Sequence, residues 1–142
     1  MATQQAFKKL IGQLNVLSKT DKVERSVFSQ MASVTSNRIF NEGKNADNQE
    51  IGTYSQGYQK TRARKNYEPS RKVILRATEQ MFQDWSLVVS GKNYGLGFKN
   101  SANADKSYWV EDTYSQDIFK HTKEEENLLI ELFDQEVKKV LQ

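Results

Sequence analysis

The chain has 142 residues, enough for one domain with a real core and short for two, and its 37% hydrophobic and 27% charged residues describe a polar but folded chain that depends on a partner. It has no cysteine, which excludes disulfides and thiolate zinc sites, and no run reaches the roughly 18 apolar residues of a membrane span. The net charge of +3 says little about nucleic acid by itself, and MATQQAFKKLIGQLNVLSK at the start lacks the apolar centre of a signal peptide, so a cytosolic origin without membrane contact is expected.

Phe7, Leu10, Ile11, Leu14 and Leu17 recur at three- and four-residue steps and predict an amphipathic helix. Asp21 and Glu24 have capping-box spacing, so a second helix is expected there, with Val23, Val27, Phe28, Met31 and Val34 as a stripe towards Ile39 and Phe40 and Gly43 as its stop. One bent helix and two separate ones fit this pattern equally. Residues 41–57, NEGKNADNQEIGTYSQG, are turn-formers and predict a long polar loop with few apolar anchors, of the kind that carries function. Tyr58 to Lys65 can be helical, and Pro69 biases Glu68 to an extended conformation.

VILRATEQMFQDW reads as extended chain turning into a short helix with Met81, Phe82 and Trp85, followed by SLVVS and YGLGF as a hairpin with its turn at Gly91, Lys92 and Asn93. SANADKSYWVEDTYS predicts a helix with Ala104, Tyr108 and Trp109 inward, and DIFKH a short strand or an extended link. In the last helix Thr122 and Glu125 form a capping box and Glu124 to Glu126 suit the helix start. Leu128, Leu129, Leu132, Phe133, Val137, Val140 and Leu141 form the buried face, and Lys138 and Lys139 suit the end. The expected fold is α+β in a single domain over 1–142: N-terminal helix or helices, a small antiparallel sheet and a C-terminal amphipathic helix.

Seven cations against Glu68 give the window Lys60 to Arg76 a charge of +6, leaving −3 for the rest, so the molecule is electrically two-sided. A solvated surface accounts for this as readily as a binding role. Chemistry is hard to find. The single histidine, His121, stands beside the capping Thr122 and reads as a helix-entry residue, the Glu124 to Glu126 run as a first helical turn, and GLG at 95–97 as a bend. No phosphate loop, nucleophile elbow or dinucleotide fingerprint is present, so no catalytic, cofactor-binding or metal residue is assigned and the chain is expected not to be an enzyme.

The segment order RIFNEG, IGTYSQGYQKTR, a basic stretch, VILRATEQMFQDWSLVV, a hairpin, SYWVEDTYS, IFKHTKEEENLL and a terminal helix resembles the tail-completion or virion-morphogenesis proteins of tailed bacteriophages, over roughly residues 30–142. Ile51, Gly52, Tyr54, Ser55, Tyr58 and Arg62 match the first family phrase, Val73, Leu75, Thr78, Met81, Trp85 and Ser86 the second, and Tyr108, Glu111, Ile118 and Phe119 the third. Glu79 stands where the family usually has glycine, and Ser115 and Gln116 where it often has a glycine-containing turn. The resemblance implies a structural protein of the head–tail junction in the virion, assembled in the host cytoplasm as a homo-oligomeric ring, six- or twelve-fold, against other neck, portal and tail proteins. It implies an assembly loop at Ile51, Gly52, Tyr54, Ser55 and Tyr58. Lys60, Arg62, Arg64, Lys65, Arg71 and Lys72 would then face neighbouring subunits or, without sequence specificity, phage DNA in a channel. The alternative expectation is a non-sequence-specific nucleic-acid-binding module that uses the basic window 60–76, with Tyr54, Tyr58 or Tyr67 stacking on bases.

Overall fold

Val23, Val27 and Met31 stand four residues apart. In the computed structural model, which describes residues 4–6, 8–9 and 20–141, that spacing becomes the buried stripe of helix α1, Thr20–Ser36. Residues 4–6 and 8–9 are helical, and the apolar face expected from Phe7 to Leu17 lies outside the described residues. Thr35 extends the α1 stripe: its hydroxyl donates to the Met31 carbonyl at 2.9 Å and accepts from the Trp85 indole at 2.7 Å. Beyond Ser36 the chain runs on into a π turn, Asn37–Asn41, whose wider winding buries the consecutive residues Arg38, Ile39 and Phe40. Gly43 closes it at φ +67, where a Cβ would stand 2.4 Å from the Val73 carbonyl oxygen, so glycine alone fits.

The polar segment expected as a weakly anchored loop over 41–57 is instead sewn into the core. Asn41 belongs to the π turn, and Gln56 and Gly57 already belong to α2, Gln56–Arg64. Between them Ile51 is 4% exposed and packs with Ile39, Phe40, Val73, Trp85 and Ile118. Backbone bonds do the rest: Ala46 N–H to Asp117, Ile51 N–H to Gly43, Val73 N–H to Gly52 and Tyr54 N–H to Arg71. The Asn45 side chain accepts from the amides of Asp47 and Gln49 and donates to the Gln116 side chain. Turn-forming residues here satisfy their own backbone, so few apolar anchors suffice.

Helix α3, Gln80–Asp84, starts from Glu79 at φ +66 and leads into strand β1, Trp85–Ser90, paired antiparallel with β2, Asn93–Phe98. Gly91, at φ +62, supplies the two-residue turn with Lys92. Trp85 opens the hairpin, and its ring meets Phe98 and Phe119 at 5.2 and 5.8 Å between centroids.

Helix α4, Ser101–Tyr114, turns a different face inward from the one expected. Asn103 and Ser107 are buried while Tyr108 is 69% and Trp109 64% exposed. The reason is polar satisfaction at close range: the Asn103 amide donates to the Gln80 carbonyl and the Asp84 carboxylate, and the Ser107 hydroxyl donates to the Ala104 carbonyl. After Ser115 at φ +53, DIFKH forms no strand but an irregular link with bends at Phe119 and Lys120 and Ile118 fully buried.

Helix α5, Lys123–Leu141, begins with the expected reciprocal cap: Glu125 N–H to Thr122 Oγ1 at 3.0 Å and Thr122 N–H to Glu125 Oε1 at 2.9 Å. It lies along α1, with Phe133 edge-on to Phe28. Its apolar face is less covered than expected: Leu128, Leu129, Leu132, Phe133 and Val140 are half-buried, while Val137 and Leu141 are exposed. The fold is therefore α+β, helices around a two-stranded antiparallel sheet with an amphipathic helix at the C-terminal end. No described helix is long and apolar enough to cross a membrane.

One polar hub ties these parts together. Arg38, 4% exposed, donates from Nε to both Glu125 oxygens at 3.1 and 3.0 Å, from Nη1 to the carbonyls of Lys44 and Ile118, and from Nη2 to that of Lys120.

Candidate functional site: an aromatic cavity over a buried arginine

Ser55 caps α2 by accepting the Tyr58 amide at 3.1 Å, and this fixes where the helix begins. Tyr58 and Arg62, four residues apart, then share one face, with Tyr54 just before it. Arg62 is 2% exposed and sits among rings, its guanidinium carbon 4.7 Å from the Tyr54 centroid and 5.8 Å from those of Tyr58 and Tyr67. Nη2 donates to the Glu68 carbonyl at 2.6 Å and the Arg76 carbonyl at 3.4 Å, and Nη1 reaches the Tyr54 hydroxyl at 3.5 Å. Among the described residues its Nε has no partner, and no carboxylate pairs with it.

Above this cation lies a cavity of about 520 Å³. Tyr54, Tyr58 and Arg62 form one wall, Leu75 and Met81 the next, and Trp109, Val110 and Tyr114 of α4 the third, with Lys106 beside them. Trp109 stands at the rim, two-thirds exposed. Leu75 holds φ +56, an unusual backbone for a bulky residue and a mark of local strain. Burial, and secondarily the neighbouring Tyr54 and Tyr58, push the Tyr114 phenol above its ordinary value.

The lining contains no Asp, Glu or His; it offers rings, the cationic side chains of Arg62 and Lys106, and Thr, Ser and Tyr hydroxyls. Among the described residues no cluster of His, Asp and Glu is placed to hold a metal ion. His121 stands at the entrance to α5, as expected.

The residues singled out in the sequence divide into three groups. Ile51 belongs to the core and Gly52 to a backbone bond, so neither offers a side chain for assembly, whereas Tyr54, Ser55 and Tyr58 line the cavity. Arg62 is not an exposed cation but a buried part of that cavity's wall, and no DNA strand lying on the surface can reach it. Lys60, Arg64, Lys65, Arg71 and Lys72 are exposed, Lys72 in an ion pair with Glu50 at 3.2 Å. Arg76 is withdrawn from the basic window by a forked contact with Glu79, whose hydrogen bonds raise its pKa further, and lies 4.0 Å over Phe82. The sequence reading missed the walls from α3 and α4. The four-residue step from Tyr58 to Arg62 was the available signal. No family model, curated protein or solved structure matches the chain.

Proposed function

We propose that the chain is a structural subunit of the head–tail junction of a tailed bacteriophage, a tail-completion or neck protein that joins and seals the portal complex and the tail. In this reading it assembles in the host cytoplasm as a homo-oligomeric ring, works in the virion and catalyses nothing. The observation that carries the reading is the exposed pair Tyr108 and Trp109, of which Trp109 lines the cavity. Large rings left in water serve a neighbouring subunit better than the monomer, because they bring contact area at small entropic cost.

Two more features support it. The order of sequence phrases resembles that family. The positions where the family has glycine or a glycine-containing turn, Glu79 and Ser115, have left-handed backbone here, φ +66 and +53, which glycine adopts freely.

The test is a Tyr108→Ala, Trp109→Ala double variant in a phage complementation assay, followed by electron microscopy. Both positions are exposed, so the denaturation midpoint should move by no more than the equivalent of ~0.5 kcal/mol. Heads and tails that fail to join are expected; normal infectious particles would remove the reading. The exposed cations Lys60, Arg64, Lys65, Arg71 and Lys72 favour a second reading, contact with DNA phosphates without base recognition. Monomeric protein that binds unrelated DNA sequences with a steep salt dependence, in a filter assay, would make this second reading the primary one.

A further inference from the structure

Arg62 is 2% exposed, its partners among the described residues are two carbonyls, the Tyr54 hydroxyl and rings, and its Nε–H has none. A charge taken out of water is costly unless an opposite charge or a full set of acceptors compensates it, and Arg38 shows that this chain builds such compensation where it is wanted. The cavity above Arg62 has Lys106 in its wall, no carboxylate in its lining and a strained Leu75 at its side.

We infer that this cavity is the docking site for an acidic side chain, Asp or Glu, carried next to an apolar or aromatic residue on a neighbouring protein subunit. The carboxylate goes to the Arg62 guanidinium and its apolar neighbour packs between Tyr58 and Trp109. The charge pattern selects a carboxylate, and the shape selects a protein as its carrier. A volume of about 520 Å³ admits one or two side chains, whereas the phosphates of a nucleic acid are bound to a backbone too broad to enter it with them. The five exposed cations serve such a backbone better. Docking of this kind also gives the rim tryptophan its use, because a ring that closes over an ion pair excludes the water that would weaken it. The inference rests on the assembly reading for the identity of the carrier alone; the chemistry of the site stands on the geometry.

The experiment titrates the full chain with two capped dipeptides, acetyl-Trp-Glu-amide and acetyl-Trp-Gln-amide, and follows backbone and arginine Nε–H resonances by heteronuclear NMR. The Glu peptide should move the Arg62 Nε–H signal and the amides of Tyr58, Trp109 and Tyr114, and bind at least about tenfold more tightly than the Gln peptide. Equal binding of the two, or movements confined to the exposed lysines and arginines, would overturn the inference. So would an oligothymidine that moves the Arg62 signal at lower concentration than the Glu peptide. Because Arg62→Gln can disturb folding, Trp109→Ala is the second variant: its exposed side chain leaves the fold alone, and it should weaken the Glu peptide severalfold, with unchanged binding counting against the site. A Glu peptide that binds while the Tyr108, Trp109 double variant still builds joined particles would leave the site standing and remove the junction reading. Failed joining with no discrimination between the peptides would do the reverse.

Discussion

Arg38 and Arg62 are buried to the same degree and held in opposite ways. Arg38 meets a carboxylate and three carbonyls supplied by the 40s loop, the DIFKH link and α5, so every donor nitrogen has an acceptor and distant parts of the chain are fixed to one another. Arg62 meets two carbonyls, one distant hydroxyl and three rings, nearly all from its own stretch of sequence, and faces a cavity. The first arrangement completes the monomer. The second leaves part of the interaction to be made from outside, which is how a binding site differs from a structural knot of the same composition.

The comparison is broken most sharply at the completed hub. Glu125→Ala leaves Arg38 buried without its counter-charge and also removes half of the cap of α5, so a loss of roughly 3–5 kcal/mol in denaturant-measured stability is expected. A loss below about 1 kcal/mol would mean that the pair is a surface-like ion pair despite its burial. Next comes the loop threaded between the hub and the cavity. Ile51→Ala should cost roughly 2–5 kcal/mol, because Ile51 lies inside the cluster of Phe40, Val73 and Trp85. An unchanged denaturation midpoint would restore the segment to the weakly anchored loop that its composition suggests.

The cavity side should respond less. Arg62→Met removes a charge that has no carboxylate to leave behind and keeps an unbranched apolar chain among the rings, so the loss should be about 1–2 kcal/mol, clearly below that of Glu125→Ala. If the two losses were equal, Arg62 would be as complete within the monomer as Arg38, and the contrast between them would disappear.

How much of this was legible follows from distance along the chain. The cap at Thr122 and Glu125 spans three residues and the hairpin turns on Gly91, so both are local and both could be read. The Arg38–Glu125 pair joins residues 87 positions apart, and no periodicity or motif announces such a contact. In α4 hydrophobicity pointed to Tyr108 and Trp109 as the inner face, yet the helix turns inward on Asn103 and Ser107, whose polar atoms find partners there. For the same reason only the α2 wall of the cavity could be read. The basic window looked uniform as a string of cations; folding buries Arg62, pairs Arg76 with Glu79 and leaves five exposed.

The smallest expected effect sharpens the comparison from the cavity's far wall. Burial holds the Tyr114 phenol above its ordinary value, with Tyr54 and Tyr58 adding to the shift, so the folded protein keeps that proton longer than the unfolded chain does. Below the unfolded value near 10 both states are protonated and the contribution to stability is fully present. As pH rises past that value the unfolded chain ionises first, and the contribution is lost progressively until the raised folded value is passed. Phenylalanine keeps the ring and has no proton to lose. Denaturation midpoints measured between about pH 9 and 11 should therefore fall less steeply for Tyr114→Phe than for the wild type. Because Tyr114 lines a cavity open to water, the difference should be small, and smaller still if the cavity is more hydrated than its ring lining implies. Parallel slopes for the two proteins would show that the phenol is solvated like one at the surface, and that this wall does not provide the low-dielectric surroundings on which docking at Arg62 depends.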